Sequence, residues 1–158
     1  VSIVVELCEN EMLAAIIVAS KRKLASDLRR ASGGESRGRE RFAGDIHWDN
    51  EIESAFAEVA VARWRNRYWS GAQSIPHVVG TDAGAAQVRW TRHPDGHLLV
   101  YTADADGDNF VLVTGLGPTM TIVGWIPGID TRSPEYWRED AKCPCWWVPQ
   151  RDLRAINQ

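Results

Sequence analysis

Long apolar runs are missing from this chain, and none approaches the ~20 residues that a membrane-spanning helix needs. The opening VSIVVELCENE also lacks the positively charged start of a secretory signal, so a leader is not expected. Cysteine is scarce: Cys8, Cys143 and Cys145 are the three present. Their odd number fits a reducing compartment better than a disulfide framework. The CxC pair has soft-ligand chemistry, but no paired Cys/His cluster stands beside it, which favours a role in the fold over a zinc site. Glycine-rich phosphate loops are missing too, since GLGP is too short and wrongly placed to cradle a nucleotide. No internal repeat or second domain is evident.

What is present describes one domain over residues 1–158, 44% hydrophobic and with a net charge of −3. That length suffices to bury about two-thirds of the unfolded surface. The charge is unevenly placed. Residues 20–41, SKRKLASDLRRASGGESRGRER, hold eight basic and three acidic residues, a local +5 against −8 for the remainder. Such a segment attracts a polyanion, or it is a solvated helix end running into a flexible basic loop over 32–45.

Periodicity predicts a helix over 10–31, with Ala14, Ile17, Val18, Lys21, Ala25 and Leu28 on one stripe. A second helix is predicted from about Asn50 to Tyr68, capped near Asp49 or Asn50. Strands follow around 77–81, 86–91, 97–103, 109–114 and 120–126, with HPDGH, ADADGDN and GLGP as turns between successive later strands. Residues 134–158 read as short helices and an irregular tail. The expected class is α+β, a central mixed, largely antiparallel sheet flanked by helices.

Glu58 sits on the second helix with Ser54, Ala55, Val61 and Ala62 at the spacings that share its face. A carboxylate among small residues must be paired, with an arginine such as Arg89, or bound to a cation, because an isolated buried charge is costly. In the segment GTDAGAAQVRWT, Gln87 and Arg89 point to one side of an extended strand while Val88 and Trp90 point to the other. Asp82 beside glycines is either a turn-capping side chain or an oxygen ligand. If Glu58, Asp82 and Gln87 converge, they offer hard oxygen donors to Mg2+ or Mn2+, and Arg89 can steady a phosphate. Asp104, Asp106 and Asp108 superficially suggest a calcium loop, but the distal glutamate is missing and a solvated hairpin turn is the better reading. Most tryptophans are assigned to the core, with Trp48 either a staple or an exposed stacking group.

The helix with AFAEVAVAR, then VGTDAGAAQVRW, DGDNFVLVTG, IVGWIPGID and CWWVPQRDL together resemble uncharacterised bacteriophage and prophage proteins related to the PD-(D/E)XK nuclease superfamily. The resemblance spans nearly the whole chain. It implies a nuclease-like fold and a metal-dependent DNA nuclease in the cytoplasm of a bacterial host. It also implies catalytic roles for Glu58, Asp82, Gln87 and Arg89, with Glu58, Asp82 and Gln87 as ligands of Mg2+ or Mn2+. Two departures stand out: Asp82 lies closer to the strand motif than is customary, and Arg89 replaces the usual lysine. The alternative is a noncatalytic phage DNA-binding or protein-interaction domain with a degenerate site. In either case DNA is the expected partner, met by Lys21, Arg22, Arg29, Arg30, Arg37, Arg39 and Arg41, and a homodimer is compatible with the sequence.

Overall fold

The computed structural model describes residues 1–33, 48–71, 86–141 and 143–156. A short strand, β1 (Ile3–Glu6), leads into α1 (Glu9–Ala31), and α2 (Trp48–Trp64) returns beside it. The remaining strands among the described residues are β2 (Ala86–Thr91), β3 (Leu98–Tyr101), β4 (Asn109–Leu116), β5 (Thr119–Pro127), β6 (Trp137–Arg138) and β7 (Cys145–Val148). Among the described residues, 3-10 turns lie at Gly128–Arg132, Pro134–Tyr136 and Gln150–Asp152.

Local chemistry sets the helix ends. At the start of α1, Glu11 reaches back to accept the Cys8 backbone N–H at 2.8 Å, half of a capping box. At the end of α2, Asn66 takes the left-handed conformation (φ 49°) and the Arg67 N–H bonds back to the Ala62 carbonyl at 2.8 Å. This Schellman-type closure stops the helix at Trp64, short of the expected Tyr68. Every residue of α2 from Ala55 to Ala62 is buried, because α2 lies between α1 and the sheet and needs apolar or small side chains all round.

Strands β1, β5, β4 and β2, in that order, form a four-stranded sheet; β2 and β4 run parallel and the other pairs antiparallel. The parallel pair requires a crossover, and the chain makes it through β3, which belongs to a second sheet of order β3, β7, β6. One face of the large sheet presents Val5, Val88, Val111, Val113, Met120 and Ile122 to the helices. Its other face presents Phe110, Leu112 and Ile126 to Leu98, Val100 and Val148 of the second sheet.

A bulge makes the two faces compatible with the sequence of β5. Leu112 pairs with Gly124 but Val113 with Ile122, so Val123 is the extra residue. Before it, Met120 and Ile122 point to the helices; after it, Ile126 points to the second sheet. An unbroken period of two would have sent all three to one face.

The expected mixture of helices and a largely antiparallel sheet is therefore present, with four corrections. The segment after 134 is not an irregular tail but supplies β6 and β7. β1 was not anticipated, because four residues offer little periodicity. HPDGH and ADADGDN do turn the chain between successive strands, but those strands lie in different sheets, so ADADGDN closes no hairpin. The buried side of α1 carries Ala15, Ala19 and Ser26, while Ala14, Ile17, Lys21 and Leu28 are exposed. Alanines permit close approach to α2, and that packing outweighs the larger side chains that dominate the sequence pattern. The expected strand at 77–81 and the basic loop from residue 34 onward lie outside the described residues.

Candidate functional site

Glu58 is 7% exposed, and its charge is met by α1. Arg22 donates from one terminal nitrogen to Glu58 Oε1 at 2.6 Å and from the other to Oε2 at 2.8 Å. Trp69, on the segment that folds back after α2, donates its indole N–H to Oε2 at 3.0 Å. A parallel fork of this kind satisfies a carboxylate in charge and geometry together. The arginine that meets Glu58 is Arg22, not the Arg89 considered from the sequence.

Arg89 belongs to a different centre. On β2, Ala86 and Val88 pack towards α2, so Gln87 and Arg89 turn to the face covered by the second sheet. Arg89 donates to the Leu99 carbonyl at 3.1 Å and to Asp104 Oδ2 at 2.7 Å, with its guanidinium 5.1 Å from the Phe110 ring centre. Asp104 Oδ2 also accepts the Tyr101 backbone N–H at 2.8 Å. Gln87 donates its amide N–H to Asp108 Oδ2 at 3.2 Å. Glu58 and the Gln87–Arg89 pair thus stand on opposite faces of the four-stranded sheet, and the fold does not bring them together.

The aspartate-rich loop between β3 and β4 is tied down at each acid. Arg132 donates to Asp106 Oδ1 at 2.7 Å and to the Tyr101 carbonyl at 3.2 Å, while stacking 4.2 Å from the Trp146 ring centre. Gly128 allows the close approach on which this loop depends: a Cβ there would lie 2.8–2.9 Å from the carbonyl oxygens of Ala105, Asp106 and Asp108. The loop is solvated, as expected, with Thr102, Ala103, Ala105, Asp106 and Gly107 exposed, but its three carboxylates are held, one each by Arg89, Arg132 and Gln87. Sequence reasoning missed Arg22 and Arg132 as partners, since a lone arginine carries no local signal of which distant acid it will meet.

Asp82 lies outside the described residues, as do Arg37, Arg39, Arg41, His47 and His77. Lys21 and Arg29 are exposed on α1, whereas Arg22 is committed to Glu58. The described donors do not fit a hydrated divalent cation at Glu58: both its oxygens already accept protein N–H groups, and Gln87 is across the sheet. Among the described residues no group of three or more His, Cys, Asp or Glu side chains is placed to hold a metal. Cys145 is buried, and that burial pushes its thiol above the usual range even though the Trp147 indole N–H points to its sulfur at 3.1 Å.

A cleft of about 340 Å³ opens where α1 begins and α2 ends, lined by Glu11, Val59, Arg63, Arg67 and Trp69 among others. Glu11 and Arg63 pair across its edge at 3.0 Å. Among the described residues no helix is long and apolar enough to cross a membrane. No protein-family model, curated protein or solved structure matches the chain, so the site rests on its own geometry.

Proposed function

We propose that the chain is a nuclease-like domain that engages DNA without cutting it, with the basic run beginning on α1 supplying the attraction to phosphate. The observation that carries this reading is the fork of Arg22 on Glu58, which occupies the carboxylate that the nuclease resemblance assigns to a metal. Lys21 and Arg29, in contrast, are exposed. Cations so placed attract phosphate oxygens whatever the base sequence. An origin in phage or prophage and a bacterial cytoplasmic setting belong to the same reading. The second reading, a DNA nuclease dependent on Mg2+ or Mn2+, is favoured by the order of Glu58, Asp82 and Gln87-x-Arg89 along the chain, and requires Arg22 to release Glu58.

The two are separated by measuring DNA affinity at several salt concentrations beside cleavage of single-stranded, duplex and branched DNA with each metal. The expected result is binding that is indifferent to sequence, falls with salt, and weakens roughly tenfold in the Lys21→Ala/Arg29→Ala double variant, without cutting. Metal-dependent cutting that Asp82→Asn abolishes transfers the function to the second reading. Neither binding nor cutting sinks both.

A further inference from the structure

The chain leaves α2 through RWRNRYW, residues 63–69, in which arginines are interleaved with aromatic rings. A cation in the last turn of a helix favours the helix dipole, and that accounts for Arg63, which also donates to the Glu6 carbonyl at 2.7 Å and to Glu11 Oε2 at 3.0 Å. It does not account for Arg65 and Arg67. Both lie beyond the end of α2 at Trp64, and neither guanidinium has a hydrogen-bond or ion-pair partner among the described residues. Between them Asn66 turns the chain in the left-handed conformation, and Tyr68 follows with 89% of its surface exposed.

The same turn closes one side of the cleft of about 340 Å³ between α1 and α2. Ala14, Val59, Ala62 and Trp69 give that cleft apolar walls. Trp69 is fixed in place by its indole bond to Glu58 Oε2 at 3.0 Å, and Glu58 in turn by the Arg22 fork. The ring is therefore set before any ligand arrives. Glu11, which also lines the cleft, is offset by Arg63, so the uncommitted Arg67 leaves the lining positive.

Apolar walls, a fixed aromatic ring and one free guanidinium suit a flat ring system joined to an anion. A nucleotide has that composition: its base stacks and its phosphate accepts from arginine. The volume stands near the lower end of the roughly 300–1,000 Å³ of small-molecule sites, room for one base. Tyr68 offers a second stacking face outside the cleft, and Arg65 a second phosphate contact. In a duplex the bases are paired and stacked inside, so only an unpaired strand presents them to such a surface.

We infer that Arg65, Arg67, Tyr68 and the Trp69 cleft form a binding site for single-stranded DNA, one base entering the cleft and its neighbour stacking on Tyr68. The inference rests on the reading that the chain engages DNA, and adds the form of strand and a second contact surface. It is tested on the full chain by titrating an oligothymidylate of about ten nucleotides, a duplex of the same length and thymidine monophosphate. The oligothymidylate should bind at least about tenfold tighter than either of the others. Arg67→Glu/Tyr68→Ala should remove that preference with the melting transition unchanged, since both side chains are exposed. Lys21→Ala/Arg29→Ala should weaken single strand and duplex alike and keep the preference.

Photocross-linking reads the site in the unaltered protein: an oligothymidylate carrying one 5-iodouracil should attach at Tyr68 or Trp69. Equal affinity for single strand and duplex overturns the inference, as does a preference that Arg67→Glu/Tyr68→Ala retains or a cross-link confined to other residues; each leaves the general DNA reading standing. Thymidine monophosphate bound as tightly as the oligomer overturns the strand assignment in favour of a free-nucleotide site. Binding to no DNA of any form removes the inference together with the reading beneath it.

Discussion

Replacing Glu58 by glutamine should cost the fold heavily, because it removes the negative charge that the Arg22 fork grips. The two side chains are only 16% and 9% exposed, so water replaces little of what is lost. Breaking a pair in such a setting costs about 3–5 kcal/mol. Against a total stability of about 5–15 kcal/mol for a domain, that is a large fraction. Arg22→Met should cost a similar amount, since it removes both bonds of the fork from the carboxylate. The Arg22→Met/Glu58→Met double variant removes both charges and fills the space with apolar atoms, so it should lose less than the two single losses added together. The expected coupling is about 2 kcal/mol or more. Urea unfolding followed by tryptophan fluorescence measures all four proteins, with an unchanged slope confirming that the transition remains comparable. Single losses below about 0.5 kcal/mol, adding without coupling, would refute the claim that this pair is structural. They would also return Glu58 to the list of groups available for chemistry.

Arg132→Ala should loosen the loop between β3 and β4, since it removes the Asp106 ion pair, a bond to the Tyr101 carbonyl and the stack on Trp146. A loss of about 2–3 kcal/mol and faster hydrogen exchange at Tyr101, Asp104 and Asp108 are expected, and unchanged exchange at these amides contradicts that hold on the loop. Glu11 gives a pH dependence. Its burial alone would raise the carboxyl, but the Cys8 N–H and the Arg63 guanidinium together hold it below its ordinary value of 4.5. A carboxyl lowered in the folded state binds fewer protons there than in the unfolded chain, so its stabilisation is present above pH 4.5 and fades as pH falls through the folded value. Glu11→Gln should accordingly reduce stability near neutrality and flatten its decline in acid; an unaltered acid limb in pH-dependent unfolding curves counts against this assignment.

Helix and strand placement was legible where the chemistry is local. The acidic first turn of α1, the small and apolar run of α2, the alternation of β2 and the short apolar run of β4 each fix a conformation within a few residues. The C-terminal strands were not legible in the same way. CWWV has only four residues, and its extended state is fixed by pairing with β3, whose partner residues lie some fifty positions earlier. The bulge at Val123 was equally hidden, since it answers a requirement imposed by two different layers on the two halves of one strand.

For the candidate site, the sequence by itself determined that Glu58 needed a partner and that Gln87 and Arg89 would share one side of a strand. Both follow from physics within a few residues: the cost of an isolated buried charge and the period of two. Tertiary structure alone decided that the partner is Arg22, thirty-six positions away, and that the strand's polar side meets the second sheet. It also decided that α1 would bury its alanines and leave its leucines outside. Periodicity gives a helix its faces, but which face is covered depends on how closely the neighbouring backbone can approach, and small side chains allowed α2 to come nearest.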